Sequence, residues 1–161
     1  MNHLEQLVAE YYDWQGFLVK RNAKVGRREA GGWEMELDVV AWHPERHELV
    51  HIEASLDAHS WATRADRYAK KFECGEKYIL QEVFRWLAPG TSITRVAIFP
   101  TAPVNGSMIA GAHVWAVDDF VKRIADEVRA GKPMSKDAIS EQFPLLRTMQ
   151  LALRGYHRVP A

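Results

Sequence analysis

The chain contains 161 residues, of which 47% are hydrophobic and 26% are charged, and this balance excludes an intrinsically disordered chain. A single cysteine, Cys74, excludes a disulfide framework. Lysine plus arginine and aspartate plus glutamate both number 21, which excludes a uniformly basic coat for nucleic acid but leaves room for a local basic patch.

The sequence shows neither a membrane-spanning segment nor a secretory signal. No apolar run approaches the ~20 residues that a bilayer-spanning helix needs. Glu5 and Glu10 lie near the start of the chain, where a secretory signal would be basic and then apolar. We therefore expect a cytoplasmic protein with no membrane partner.

Hydrophobic periodicity and turn residues divide the chain into helices and strands. The predicted elements in chain order are a helix at 2–14, strands at 17–24, 33–42 and 48–55, helices at 61–72 and 76–87, strands at 94–99 and 113–117, a helix at 119–129 capped by Asp118, and a last helical stretch from Ser135 to 154 that breaks before Pro144. A turn at Pro44 joins two of the strands into an antiparallel hairpin. This order predicts one α/β domain over residues 1–161, with helices on both faces of a mixed sheet.

Two acidic residues fall on neighbouring predicted strands. Period-2 alternation and the hairpin place Asp38 and Glu53 within reach of one another. Two such carboxylates repel each other, and burial adds a desolvation cost, which a hard divalent cation would relieve. The alternative is that both acids are solvated on an exposed face of the sheet, and spacing alone does not separate these interpretations.

The sequence around these two acids resembles that of a known family. Residues 36–41 (ELDVVA), a hairpin turn and residues 50–55 (VHIEAS) resemble the core of the PD-(D/E)XK nuclease superfamily, most closely its small archaeal Holliday-junction-resolvase and Mrr-type members. The resemblance covers residues 4–72. It implies a restriction-endonuclease-like fold and metal-dependent hydrolysis of DNA.

The resemblance also implies roles for individual residues. Asp38 matches the first acid and Glu53 the second, and together with the Ala54 carbonyl they would hold Mg²⁺ or Mn²⁺. Glu10 fits the helical glutamate that often precedes them, and it would position the metal or its water.

One position departs from the family pattern. Ser55 stands where the family has a lysine that helps to activate water and offsets phosphate charge, and a hydroxyl supplies no positive charge. Ser55 stays a candidate catalytic position. Because this lysine can migrate within the superfamily, the replacement candidates are Lys70, Lys71, Lys20 and Lys24. Each of these is otherwise an ordinary surface lysine.

Two basic clusters border the proposed site. We expect contacts to nucleic acid from Lys20, Lys24, Arg28, Arg64, Arg67 and Lys71. The helix at 61–72 should pack through Trp61, Ala65, Tyr68 and Phe72 and present Arg64, Arg67 and Lys71 outward. Most of the tryptophans should be core, but Trp14, Trp33, Trp42 and Trp61 flank the site region and could contact bases. The alternative is that the basic residues are ordinary solubilising charges.

His51 shares the strand face of Glu53. The sequence favours a half-buried histidine that is bonded to a neighbouring group, with a place beside the metal as the alternative.

The leading hypothesis is a Mg²⁺- or Mn²⁺-dependent nuclease acting on DNA in defence or repair. The alternative, which Ser55 favours, is a catalytically inactive nuclease-fold module that binds nucleic acid or a protein partner. A plain scaffold is a third interpretation. The sequence leaves open a homodimer or a partner protein.

Overall fold

The computed structural model describes residues 2–57, 59–101, 108–131 and 138–155. Its elements in chain order are α1 (His3–Trp14), β1 (Leu18–Arg27), β2 (Trp33–His43), β3 (Glu48–Ala54), α2 (Trp61–Tyr78), β4 (Ile93–Phe99), β5 (Met108–Ile109), β6 (Ala112–Ala116), α3 (Val117–Ala130) and α4 (Pro144–Gln150). Single π-helical turns at Ile79–Val83 and Leu151–Gly155 extend α2 and α4.

The six strands form one mixed sheet in the order β1-β2-β3-β4-β6-β5. β1, β2 and β3 pair as an antiparallel meander, whereas β3, β4 and β6 are parallel and short β5 pairs antiparallel with β6. A parallel pair needs a crossover connection, and α2 provides the one between β3 and β4. The α/β fold with a mixed sheet is confirmed.

Helices cover both faces of the sheet. α1, α3 and α4 share a hydrophobic cluster with Val39, Ile52 and Ile98. On the other face, Tyr68 and Phe72 of α2 are buried against β4 and β6, with Trp61 and Ala65 partly buried beside them. The predicted apolar stripe of this helix is therefore confirmed. Because side chains alternate along a strand, this face also receives His51 and Glu53 of β3.

Local signals set several helix ends. The Asn2 side chain accepts a hydrogen bond from the Glu5 backbone N–H, and the Glu5 carboxylate accepts one from the Asn2 backbone N–H, which forms a capping box at the start of α1. Gly16 follows α1 with a φ of +90°, a conformation that favours glycine. Ser60 caps α2 through a bond from the Thr63 backbone N–H.

Several elements differ from the prediction. The helices predicted at 61–72 and 76–87 are one continuous segment that ends at Val83, because Gly75 continues the α conformation where its lack of a side chain lets α2 approach β3. The N-cap of α3 is Ala116, so Asp118 lies inside the helix. Strand β5 has two residues, too few to show alternation in the sequence. The predicted cap Ser135 falls outside the described residues, and residues 138–143 are not helical, so the last helix begins at Pro144.

Within the described ranges, no helix combines the length and the apolar character that crossing a bilayer requires.

Candidate active site

The structure brings a lysine onto the two predicted acids. The Lys71 Nζ lies 2.8 Å from the Asp38 Oδ1 and also donates to the Glu53 Oε2. Glu53 is fully buried and Asp38 is 8% exposed, whereas the Lys71 side chain keeps 22% exposure at the edge of the cluster. One ammonium therefore bridges two carboxylates at a point that solvent can reach.

Strand pairing accounts for the convergence of the acids. β2 and β3 pair so that Val39 faces Ile52. One residue further, the Asp38 backbone N–H donates to the Glu53 Oε1 over 3.2 Å, and the Ala54 backbone N–H donates to the Asp38 Oδ2 over 3.1 Å. Each carboxylate is thus held by the backbone of the opposite strand, which fixes both side chains before any ligand arrives.

His51 is hydrogen-bonded to Glu53 on the buried side of the cluster. Its Nε2 lies 2.7 Å from the Glu53 Oε1, and its ring packs edge-on against Phe72. Burial and the neighbouring Lys71 charge lower the pKa of His51 to about 3, so the imidazole is neutral near pH 7. Since the carboxylate can only accept, the Nε2 carries the proton and donates it. His51 is bonded to a neighbour as predicted, but it is fully buried rather than half-buried.

The protonation states in the cluster are coupled. Burial, followed by the charge of Glu53, raises the pKa of Asp38 to about 6. Burial also raises the pKa of Glu53, against the opposing influence of Lys71. Burial would lower the pKa of Lys71, but attraction to both carboxylates outweighs it and the pKa rises. With all three groups ionised, the cluster carries one net negative charge, which favours a cation nearby.

Ser55 does not contact the two acids. Its hydroxyl donates to the Asp57 Oδ2 over 2.5 Å and accepts a bond from the Asp57 backbone N–H. The chain turns here at the end of β3, and the hydroxyl stabilises that turn. The structure thus places the Ser55 hydroxyl on Asp57 and not on the acids, and of the candidate lysines it brings Lys71 of α2 onto them.

Arg64 is not an outward-facing basic residue. It is 6% exposed, its Nε donates to the Asp57 Oδ1 over 3.2 Å, and its guanidinium lies over the rings of Trp61 and Phe99. The predicted role in nucleic-acid contact is wrong for Arg64, because Asp57 and the aromatic rings hold its guanidinium inside the fold. Lys71 likewise points inward to the acids. Arg67 is exposed and also reaches Asp57.

Glu10 belongs to the opposite face of the sheet. It is buried, and its Oε2 accepts hydrogen bonds from the backbone N–H groups of Leu145 at 2.8 Å and Leu146 at 3.2 Å. These are the first amides of α4, which have no partner within their own helix. The prediction that Glu10 positions a metal is therefore wrong, because its carboxylate stabilises the start of α4.

The remaining predicted basic residues are exposed. Lys20 and Lys24 lie on edge strand β1, and Arg28 follows that strand. Of the four tryptophans near the site region, Trp33 is exposed, Trp42 is buried, and Trp14 and Trp61 are half-buried.

Two contributors were not recognised in the sequence. Asp57 organises the loop after β3, and the spacing Ser55-x-Asp57 directly after a strand is a turn signal that could have revealed it. Gly75 makes room for the His51 ring, and a glycine inside a helical pattern is itself a sign of close approach.

The donor set fits a hard divalent cation in part. In the described part of the chain, no group of three or more histidine, cysteine or acidic side chains is arranged to hold a metal. Asp38 and Glu53 remain, and Mg²⁺ typically takes one or two carboxylates and fills its other positions with water and substrate phosphate. The Ala54 backbone N–H is bonded to the Asp38 carboxylate, and the role of the Ala54 carbonyl as a metal ligand stays a prediction.

A cavity of about 370 Å³ lies elsewhere, with Val50, Val96, Ile98 and Phe120 among its lining residues. These residues belong to the cluster beneath α1 and α3, so the cavity and the Asp38–Glu53 pair lie on opposite faces of the sheet.

The chain matches no protein-family model and no curated protein sequence. The resemblance to PD-(D/E)XK nucleases therefore depends on the residues described above and stays a prediction.

Proposed function

We propose that the protein is a metal-dependent phosphodiesterase that acts on DNA. The observation that carries this proposal is the Lys71 ammonium bonded to the buried pair Asp38 and Glu53. Two carboxylates on neighbouring strands, with a lysine ammonium from α2 beside them, can support hydrolysis of a phosphodiester with a divalent ion.

The acids, the lysine and the histidine would have different roles in this reaction. Asp38 and Glu53 would hold Mg²⁺ or Mn²⁺, which when bound supplies a nucleophilic water at neutral pH and offsets charge on the phosphate. Lys71 would bind a non-bridging phosphate oxygen or orient the attacking water, because its exposed edge faces the solvent from which substrate arrives. His51 and the Asp38 backbone N–H both bind the Glu53 Oε1, so that the Oε2 stays on the side of Lys71.

DNA would be held by exposed basic side chains. Lys20, Lys24 and Arg28 belong to a run, residues 18–28, that contains no acidic residue. Such side chains contact phosphates without reading sequence. Arg67 is exposed and could also contact a phosphate, although its guanidinium already forms an ion pair with Asp57.

An inactive binding module is the second candidate, and one observation favours it. Lys71 already neutralises part of the carboxylate charge and donates to both acids, so the three side chains satisfy one another. In this case Lys71 would keep the acids occupied, and the basic strand alone would engage a nucleic acid or a protein partner.

Cleavage assays separate the two candidates. Labelled linear, branched and single-stranded DNA is incubated with Mn²⁺ or Mg²⁺ and wild type, Asp38→Asn, Lys71→Ala, Lys70→Ala and Ser55→Ala. The nuclease predicts cutting by wild type, by Ser55→Ala and by Lys70→Ala, whose neighbouring lysine is exposed. Asp38→Asn and Lys71→Ala should lose at least about 100-fold in rate.

Circular dichroism and melting temperature establish that each variant is folded. An inert wild type that still binds DNA would establish the binding module instead.

A further inference from the structure

The β1–β2 hairpin ends in an exposed tip, residues 27–33. The Arg28 backbone N–H donates to the Gly32 carbonyl over 3.1 Å, and the Gly31 N–H donates to the Arg28 carbonyl over 3.0 Å. Gly31 and Gly32 have φ values of +91° and +82°, which side-chain-bearing residues rarely adopt. The tip is therefore a tight, internally bonded turn.

The tip presents one large aromatic ring beside two arginines. Trp33 is 43% exposed and is paired across the hairpin with Arg27, next to Arg28. Residues 18–28, which include β1, contain five basic residues and no acid, and Glu29 is the one acid of the tip. An exposed indole beside two guanidinium groups suits a partner that is both flat and anionic.

The strands next to the tip are fixed to α2 and to the π-helical turn that follows it. The Gly26 N–H donates to the Glu82 carboxylate over 3.1 Å, and the Tyr78 hydroxyl donates to Glu34 over 2.5 Å. A side chain at Gly26 would lie 2.7 Å from the Glu34 Cβ, so the two strands and the helix meet without spare room. The tip thus has a defined position relative to Lys71, which lies on the same helix.

The distance from the tip to the acids corresponds to a few nucleotides. Trp33 and Asp38 are five residues apart on β2, and at about 3.4 Å per residue this is about 17 Å. Nucleotides along one strand of a duplex advance about 3.4 Å each, and unstacked nucleotides are further apart, so a strand at the acids would reach the tip within about five nucleotides.

We infer that the hairpin tip stacks Trp33 on an unpaired nucleobase, while Arg27 and Arg28 contact the adjacent phosphates. Bases inside a duplex offer no free face, so the preferred ligand is DNA with a single-stranded end or branch. This inference rests on the proposed function, because it assigns the substrate class to the same site. Stacking of one base on an aromatic side chain is worth about 5- to 150-fold in affinity.

Binding without metal tests the inference. Fluorescence anisotropy in EDTA compares a single strand, a blunt duplex and a duplex with a single-stranded overhang, all end-labelled. The variants are Trp33→Ala, Trp33→Phe and the matched control Trp86→Ala, which removes a tryptophan that is 64% exposed and lies outside the hairpin.

Trp33→Ala should lose about tenfold affinity for the single strand and the overhang while its affinity for the blunt duplex stays unchanged. Trp33→Phe should retain most of the affinity, and Trp86→Ala all of it. Equal binding by Trp33→Ala and wild type, or an equal loss on the blunt duplex, would overturn the inference.

A wild type that binds none of the probes overturns both the inference and the proposed function. Trp33-dependent binding without cleavage in Mn²⁺ supports the inference and refutes the nuclease. Cleavage in Mn²⁺ together with binding that does not depend on Trp33 supports the nuclease and refutes the inference.

Discussion

Gly75 lies so close to His51 that a methyl group on Gly75 would fall 2.3 Å from the imidazole Nδ1. Through this contact α2 approaches β3 closely enough for Lys71, one helical turn earlier, to reach the acids. The Nδ1 is buried, has no hydrogen-bond partner among the described residues, and faces a gap that only glycine leaves. The glycine thus determines how the ring that supports Glu53 is seated.

Replacing Gly75 with Ala should therefore destabilise the fold. In an exposed helix this change gains about 1 kcal/mol, but here the overpacking against His51 should cost about 1–3 kcal/mol and reverse the sign. Urea unfolding measures the difference. Glu73→Ala, at an exposed position of the same helix, is the control and should change stability by less than about 0.5 kcal/mol. A stabilised Gly75→Ala protein would show that the ring has room to move.

His51 should stay neutral in the folded protein well below the usual range for histidine. Burial and Lys71 hold its pKa at about 3, whereas the unfolded side chain titrates near pH 6.5. The unfolded state therefore takes up a proton first as the pH falls from 6.5 towards 3, and the His51 contribution to stability declines over that window.

Nitrogen-15 spectra of the imidazole at pH 8 to 4 measure this directly. We expect an unchanged neutral ring with the proton on Nε2, while free histidine in the same tube titrates. A titration of His51 near pH 6.5 would mean that the imidazole is not held in its buried position in the folded protein.

Lys71 and a divalent cation should compete for the same carboxylate oxygens. Removing the ammonium in Lys71→Ala should leave Mn²⁺ affinity equal or increased, while cleavage is lost. Asp38→Asn, in contrast, should lose both Mn²⁺ affinity and cleavage. Calorimetric titration with Mn²⁺ gives the affinities, and Lys70→Ala serves as the control with wild-type values. A Lys71→Ala protein that no longer binds Mn²⁺ but remains folded would contradict the competition.

Glu10 should matter for stability and not for metal. Replacing Glu10 with Ala leaves the Leu145 and Leu146 amides without their acceptor, so we expect a loss of about 1–3 kcal/mol. Mn²⁺ affinity should be unchanged, since the residue lies on the other face of the sheet. Thermal unfolding and the same calorimetric titration check both statements, and a large loss of Mn²⁺ binding would place Glu10 back in the site.

The sequence was sufficient to predict most of the elements and the pairing of the acids. Alternation on two strands and the turn at Pro44 determine the register, and register decides which side chains share a face. Asp38 and Glu53 therefore converge as predicted, with contacts from each acid to the opposite backbone. These are consequences of local periodicity and of a short connection, both of which are visible in the sequence.

Only the tertiary structure decided which residues join those acids. Lys71 follows Asp38 by 33 positions, and its neighbour Lys70 is equally basic, so the choice depends on the rotation of α2 about its axis. That rotation is set by the burial of Tyr68 and Phe72 and by the space at Gly75. The same packing turned Arg64 inward, whereas α1 holds Glu10 on the opposite face of the sheet, beside α4. Helix docking is a sum of many distant contacts, and no single stretch of the sequence contains it.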